Sequence, residues 1–216
     1  METVYKEFFA PVVDAVTWID KASFDFAVIV GEPGDQAKNI RKKMSYAGKS
    51  GDVLTMVNLD GERKVVVDLS DQTMELYIDD NLITKELVSS GGRGYATPTG
   101  THKILGKQDV RIGGAAPHYI MPRFQMLSIN GRPFSGYGFH ALPSLGSASL
   151  RAKIRDLQRR GEVVPTSLYY GDSLWNEAVD HLGRAVSHGC IRIAPDVADF
   201  LFDFTEIGET IVIVKP

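Results

Sequence analysis

At 216 residues, 44% hydrophobic and 24% charged, the chain has the make-up of an ordinary globular protein of one domain, or one domain with a small accessory segment. A net charge of -3, with basic clusters no longer than Arg41-Lys42-Lys43 and Arg159-Arg160, argues against a nucleic-acid partner. The one cysteine excludes an intramolecular disulfide and any multi-cysteine zinc site, and apolar runs such as Phe26–Val30 and Ile211–Val214 fall far short of a membrane span.

Val4, Phe8, Val12, Val16 and Ile19 recur at helical spacing, which predicts an amphipathic helix over about residues 3–21, kinked or shortened at Pro11. Residues 1–20 do not read as a signal peptide, because Glu2, Lys6, Glu7 and Asp14 interrupt the apolar stretch and no basic segment precedes it. Phe24–Val30 predicts a strand, closed by the turn-forming GEPGD, and Asn39–Tyr46 is basic and weakly helical. Residues 1–60 are therefore expected to form a small α/β accessory segment, with the main domain over 61–216.

From about Val53 the style changes. The stretches DVLTMVNLDG, RKVVVDLSDQ, TMELYIDDN and LITKELVSSGG are short, β-branched and separated by Asp, Gly and Asn turns, so strands joined by tight turns are expected. YATPTGTHKI supplies a Pro/Gly turn leading into another strand, and further strands are expected near Tyr119–Ile129, Gly138–Ala141 and Thr210–Val214. The main domain is thus expected to be mainly β, a sandwich or barrel. Two helices interrupt it. Ser149–Arg160 places Leu150, Ile154 and Leu157 on one face, and Pro195–Phe204 opens with proline and aligns Val197, Leu201 and Phe204.

Between them lies AVSHGCIRI, Ala185–Ile193, with the sole cysteine, Cys190. A thiol becomes a nucleophile when a base, a positive neighbour or oriented N–H groups raise its thiolate fraction. His188 and His140 are candidate bases, Arg192 is a fixed cation, and Gly189 permits unusual backbone or close approach. Two other readings stand beside this one. A lone cysteine also serves as a small buried hydrophobe. A zinc site of Cys190, His188 and His140 needs a fourth ligand from His181 or a carboxylate, and none of the spacings matches an established zinc pattern.

The run Ser187-His188-Gly189-Cys190-Ile191-Arg192 resembles, position by position, the signature of the L,D-transpeptidase catalytic domain, the YkuD-like family. Gly183, the helix-then-strand end DVADFLFDFTEIGETIVIVKP, and the opening hairpins with the Thr-Pro-x-Gly turn (VVVDLSDQ to TPTGTHKI) are similar to it as well, so the resemblance spans roughly Glu62–Lys215. It implies a YkuD-like β-sandwich or barrel with a helix after the cysteine, and a cysteine-dependent acyl transferase acting on peptidoglycan stem peptides. By that resemblance Cys190 attacks the carbonyl of a meso-diaminoacyl residue, the terminal D-amino acid leaves, and an amine or water resolves the thioester. His140, in GYGFHALP, matches the upstream general base. Gly189 and Cys190 would give oxyanion N–H groups, Ser187 and His188 would hold the loop, and Arg192 would order the site or meet a substrate carboxylate.

The resemblance implies no metal or organic cofactor. Its partners are cell-wall stem peptides and carbapenem inhibitors, with no nucleic acid. The substrate implies work in the cell envelope, in the periplasm or outside the cytoplasmic membrane. Cross-linking that builds the bacterial wall, trimming by an L,D-carboxypeptidase activity, and a non-catalytic wall-binding module of the same fold are all compatible with the fold. Two departures are visible. Ala141 follows His140, and Ala141–Val186 separate His140 from Ser187, a longer gap than the family usually has. The insertion, at about 145–180, is expected to cap the groove with Tyr169, Tyr170 and Trp175. His102, His118 and His181 match no catalytic position and are expected to be surface or structural.

Overall fold

The computed structural model describes residues 60–129, 132–169 and 181–216, together with the backbone of four N-terminal strands. The chain divides into two compact units, Met1–Met56 and Val57–Pro216.

In the first unit, β1 (Thr3–Phe9) pairs antiparallel with β4 (Phe24–Val30), Thr3 opposite Val30 and Phe9 opposite Phe24, and β2 (Val12–Val13) pairs with β3 (Thr17–Trp18). The helix expected over 3–21 is not formed there. Thr3, Val4, Tyr5, Phe8 and Phe9 are β-branched or aromatic, a composition suited to a pleated surface. Pro11 also lacks the N–H a helix interior needs. The Phe24–Val30 strand is present as expected, whereas Asn39–Tyr46 lies outside the described residues.

The second unit is built on one eight-stranded mixed sheet. Its strands are β5 (Arg63–Asp68), β6 (Thr73–Ile78), β7 (Asn81–Leu87), β8 (Gly100–Ile112), β9 (Ile120–Ile129), β10 (Arg132–Ala141), β11 (Ile191–Ile193) and β12 (Ile211–Lys215). They lie in the order β11-β10-β9-β8-β12-β5-β6-β7. The mainly β expectation holds. Tight turns set the register of the first hairpins. Asp68 Oδ1 accepts from the N–H groups of Ser70 and Asp71, and Asp79 and Asp80 both take left-handed backbone (φ 48° and 64°) to close β6 onto β7. Two left-handed residues in succession match the twist of a two-residue hairpin, and aspartate tolerates that region better than most side chains.

The strand faces alternate as a half-buried sheet requires: Met74, Leu76 and Ile78 are buried, and the residues between them are only partly so. Helix α1 is Ala148–Arg159, capped by Ser147 Oγ accepting from Leu150 N–H, and α2 is Pro195–Phe204. α2 packs on β9 and β10, burying Val197, Ala198, Leu201 and Phe204. Among the described residues, no helix is long and apolar enough to cross a membrane.

Candidate active site

β10 and β11 run parallel, with Phe139 opposite Ile191 and His140 opposite Arg192, and Cys190 is the residue before β11. This pairing brings together two motifs far apart in sequence. The turn leading to Cys190 is fixed almost entirely by hydrogen bonds. Ser187 N–H donates to Ser90 O (2.8 Å), and Gly92 N–H donates to Ser187 O (2.9 Å). Ser187 Oγ donates to Cys190 O (2.5 Å) and accepts from Gly189 N–H (3.0 Å). Thr97 Oγ1, itself accepting from Gly91 N–H (2.9 Å), donates to Gly189 O (2.8 Å). One layer further out, the Gln72 amide clasps Ser90, donating to its Oγ at 2.7 Å and accepting from its N–H at 2.9 Å.

Gly189 is required at its position on two counts. Its φ is +108°, and a Cβ would stand 2.3 Å from Cε1 of the Tyr137 ring.

Cys190, His140, His188 and Arg192 line one cavity of about 300 Å³, together with Arg111, Tyr119, Met121, Phe124 and the 113–117 loop. His140 is buried, stacked 6.4 Å from the Phe124 ring centre, and its Nδ1 lies 2.6 Å from Ala141 O. A carbonyl only accepts, so Nδ1 carries the proton and the neutral ring keeps its lone pair on Nε2. Burial, aided by the Arg192 charge, pushes the His140 pKa down to about 3, against the Ala141 hydrogen bond. Burial pushes the Cys190 thiol up, while the Gly138 N–H and the charges of Arg192 and Arg111 pull the other way. The resting pair is therefore a neutral imidazole and a neutral thiol. The thiol lies 3.6 Å from Gly136 O.

Arg192 is buried, and its backbone exchanges two 2.9 Å hydrogen bonds with Ser89. Its Nη1 lies 3.2 Å from His181 Nδ1, and its guanidinium carbon 5.5 Å from the Tyr119 ring centre. Its buried Nε meets no acceptor among the described residues.

Measured against the sequence reading, Cys190, His140, His188 and Arg192 converge, and Ser187 holds the turn. Gly189 needs a correction: its N–H is taken by Ser187 Oγ, so it is a conformational residue and not an oxyanion donor. His188 is also placed differently. It is exposed, with its ring edge-on to Tyr95 at 4.6 Å, and it forms part of the cavity wall without bonding the turn. His102 is structural, bridging Ser128 O (2.7 Å) and Pro98 O (3.2 Å), and His118 Nδ1 lies 3.0 Å from Gly113 O. His181 is structural as well, its Nδ1 3.2 Å from Arg192 Nη1.

The cap expectation fails for the described part of the insertion. None of its described residues lines the cavity, and Tyr169 is buried with Ile154, Val110, Ile120 and Val164. Tyr170 and Trp175 lie outside the described residues. Sequence reasoning missed Arg111, Tyr119 and Thr97. Only Thr97 carried a signal, through the TPTG turn.

Residues 62–214 match the family model for the L,D-transpeptidase catalytic domain, YkuD. The chain belongs to this family. Among solved structures, this L,D-transpeptidase domain is similar to an L,D-transpeptidase from Mycobacterium smegmatis (20% identity, TM-score 0.49, 72% of this chain and 59% of that one). It is also similar to L,D-transpeptidase 3 from Mycobacterium tuberculosis in complex with a faropenem-derived adduct (18%, TM-score 0.47, 71% and 60%). A third is an L,D-transpeptidase from Stackebrandtia nassauensis (20%, TM-score 0.46, 85% and 67%). The chain thus spans less than two thirds of the length of the two mycobacterial proteins. No curated protein sequence matches it.

Proposed function

We propose that the protein is a cysteine-dependent L,D-transpeptidase that remodels or cross-links peptidoglycan through a Cys190 thioester. The observation that carries this is the pairing in one cavity of the Cys190 thiol with a His140 ring whose Nδ1 is committed to Ala141 O. That commitment leaves Nε2 as the base.

As Cys190 Sγ bonds to the donor carbonyl carbon, its proton passes to His140 Nε2. The C–N bond then breaks and the proton goes to the departing D-amino acid nitrogen, leaving a thioester. An acceptor amine attacks that thioester, gives its proton to His140, and expels Sγ, which recovers the proton. Burial that holds both partners neutral at rest suits this concerted transfer, since no stable thiolate need form beforehand. Arg192 is the substrate-binding cation: a buried guanidinium with a free Nε donor is fitted to a carboxylate of the donor. Ser187 keeps Cys190 in register. Such a substrate puts the enzyme at work in the bacterial cell envelope.

The test is to incubate the protein with disaccharide-tetrapeptide muropeptides and read the products by mass spectrometry. Cross-linked dimers are expected. Tripeptide products alone would make it an L,D-carboxypeptidase, and no product would leave a wall-binding module. A carbapenem adduct should map to the Cys190 peptide, and Cys190→Ala should lose both adduct and turnover. Normal turnover by that variant refutes the nucleophile.

A further inference from the structure

Among the described residues, Arg111 and Arg192 line the cavity beside Cys190 and neither Asp nor Glu does. Arg111 sits on β8, opposite Met121 of β9, with its guanidinium carbon 4.5 Å from the centre of the Phe124 ring. A cation over an aromatic face keeps its N–H donors available to a further partner. The nearest carboxylate on the same strand face is Asp109, two residues before it. Asp109 is already engaged, 2.7 Å from Arg123 Nη1, and Arg123 Nε is itself 2.6 Å from Asp199. Among the described residues Arg111 has no acidic partner. A half-buried guanidinium that faces a cavity and has no acidic partner there is available to an anion that enters it. The space next to it is walled by Gly113, Gly114, Ala115 and Ala116, whose small side chains leave room for a ligand.

We propose that Arg111 is a specificity-determining residue that, with Arg192, selects an acyl donor carrying two carboxylates near the attacked carbonyl. The inference rests on the proposed function and deepens it. In a stem tetrapeptide the leaving D-amino acid bears one carboxylate and the diaminoacyl side chain bears another. Arg111 takes the second of these, so a donor whose side-chain carboxylate is amidated is discriminated against. Both cations also act on the thiol itself, which ties the anion site to the reacting atom.

Two measurements separate this inference from the reading beneath it. The first needs no peptide: the rates at which Cys190 is alkylated by iodoacetate and by iodoacetamide, a charged and a neutral reagent of nearly the same shape. In Arg111→Gln the iodoacetate-to-iodoacetamide ratio should fall about tenfold, the lower end for losing a charge-assisted hydrogen bond. Losing a charge that lowers the thiol pKa also slows both reagents alike, so the ratio carries the test while a thermal melt like the parent's certifies the fold, and Arg111→Lys should recover part of the ratio. The second compares kcat/KM for free and side-chain-amidated stem tetrapeptides. The parent should prefer the free donor about 10- to 100-fold, and Arg111→Gln should erase that preference by losing only the free donor's advantage. An unchanged alkylation ratio overturns the anion role of Arg111. A lower ratio with equal losses on both peptides overturns the side-chain carboxylate as its partner. A lower ratio in a parent that turns over no stem peptide overturns the stem-peptide reading and leaves Arg111 an anion-binding residue.

Discussion

The turn at 187–190 and the insertion that follows β10 lie next to the β10–β11 pair, yet opposite forces hold them. The turn up to Cys190 is fixed by Ser187, Thr97, Ser90 and Gln72, through hydrogen bonds that pin particular backbone atoms. The insertion is fixed by burial: Ile154 is wholly enclosed with Val110, Ile120, Val164 and Tyr169, and Leu150, Leu157 and Leu168 pack around them. Hydrogen bonds dictate direction and apolar contacts mainly dictate proximity. A region that must aim a sulfur uses the first, whereas a region that need only stay docked uses the second. Damage to the turn should therefore appear in rate, and damage to the insertion in stability.

The largest effect should come from the base that the turn faces. His140→Gln is expected to lower the acylation rate about 10²- to 10⁴-fold, with an unfolding midpoint close to the parent's, read by rapid-mixing kinetics and thermal melts. A variant that acylates normally would move the base to His188. The insertion gives the converse. Ile154→Ala should cost about 2–5 kcal/mol of stability in urea unfolding, while the acylation rate per folded molecule stays at the parent value. A lower rate in the folded variant would restore a catalytic part to the insertion.

Between these extremes lies Ser187→Ala, which strands the Gly189 N–H and the Cys190 carbonyl together. A loss of about 1–3 kcal/mol is expected, and part of it should register as slower Cys190 acylation by a carbapenem. A loss confined to stability would make the turn no different in kind from the insertion.

The smallest effect per step is a pH slope. His140 has an ordinary value of 6.5 and is pushed down to about 3 in the fold. Between those values the unfolded chain binds a proton that the folded one refuses, so stability falls with acidification. The penalty is absent above about pH 6.5 and complete below about pH 3, with a slope approaching ~1.4 kcal/mol per pH unit. His140→Gln should remove that one-proton slope from a urea-stability series, and an identical slope in both proteins would contradict the burial of a neutral ring.

Much of the main domain could be read from its residues because its signals were local. α2 begins at Pro195 and ends at Phe204 as its spacing predicts, and the strands around β5, β6, β9 and β12 follow from β-branched runs bounded by turns. β1, β2 and β3 stand where a helix is expected for an equally local reason, since Val4, Phe8 and Val12 satisfy a helical period by coincidence while their neighbours prefer a pleated surface. At the site, Cys190, His140 and Arg192 stood out by residue type and motif. The job of Gly189 was not readable, since it depends on where one hydroxyl hydrogen-bonds. Arg111 was silent because its distinguishing property is the lack of an acidic partner among the described residues, and only tertiary structure reveals which carboxylates are already taken.

The position of β12 bears on how the protein comes into being. Ile211–Lys215 runs parallel to β5 on one side and antiparallel to β8 on the other, and among the described strands it alone pairs with both. Before it is added, the sheet is in two pieces, three strands and four, joined through the isolated bridges Ser89–Arg192 and Gly91–Ser187, while the edges of β5 and β8 stand open. Because β12 follows every other strand of this sheet in chain order, a ribosome must translate all of them before those pieces can join through it. Until then a growing chain presents two sticky strand edges, which makes the interval before β12 emerges the period in which chaperones would find it still pliable.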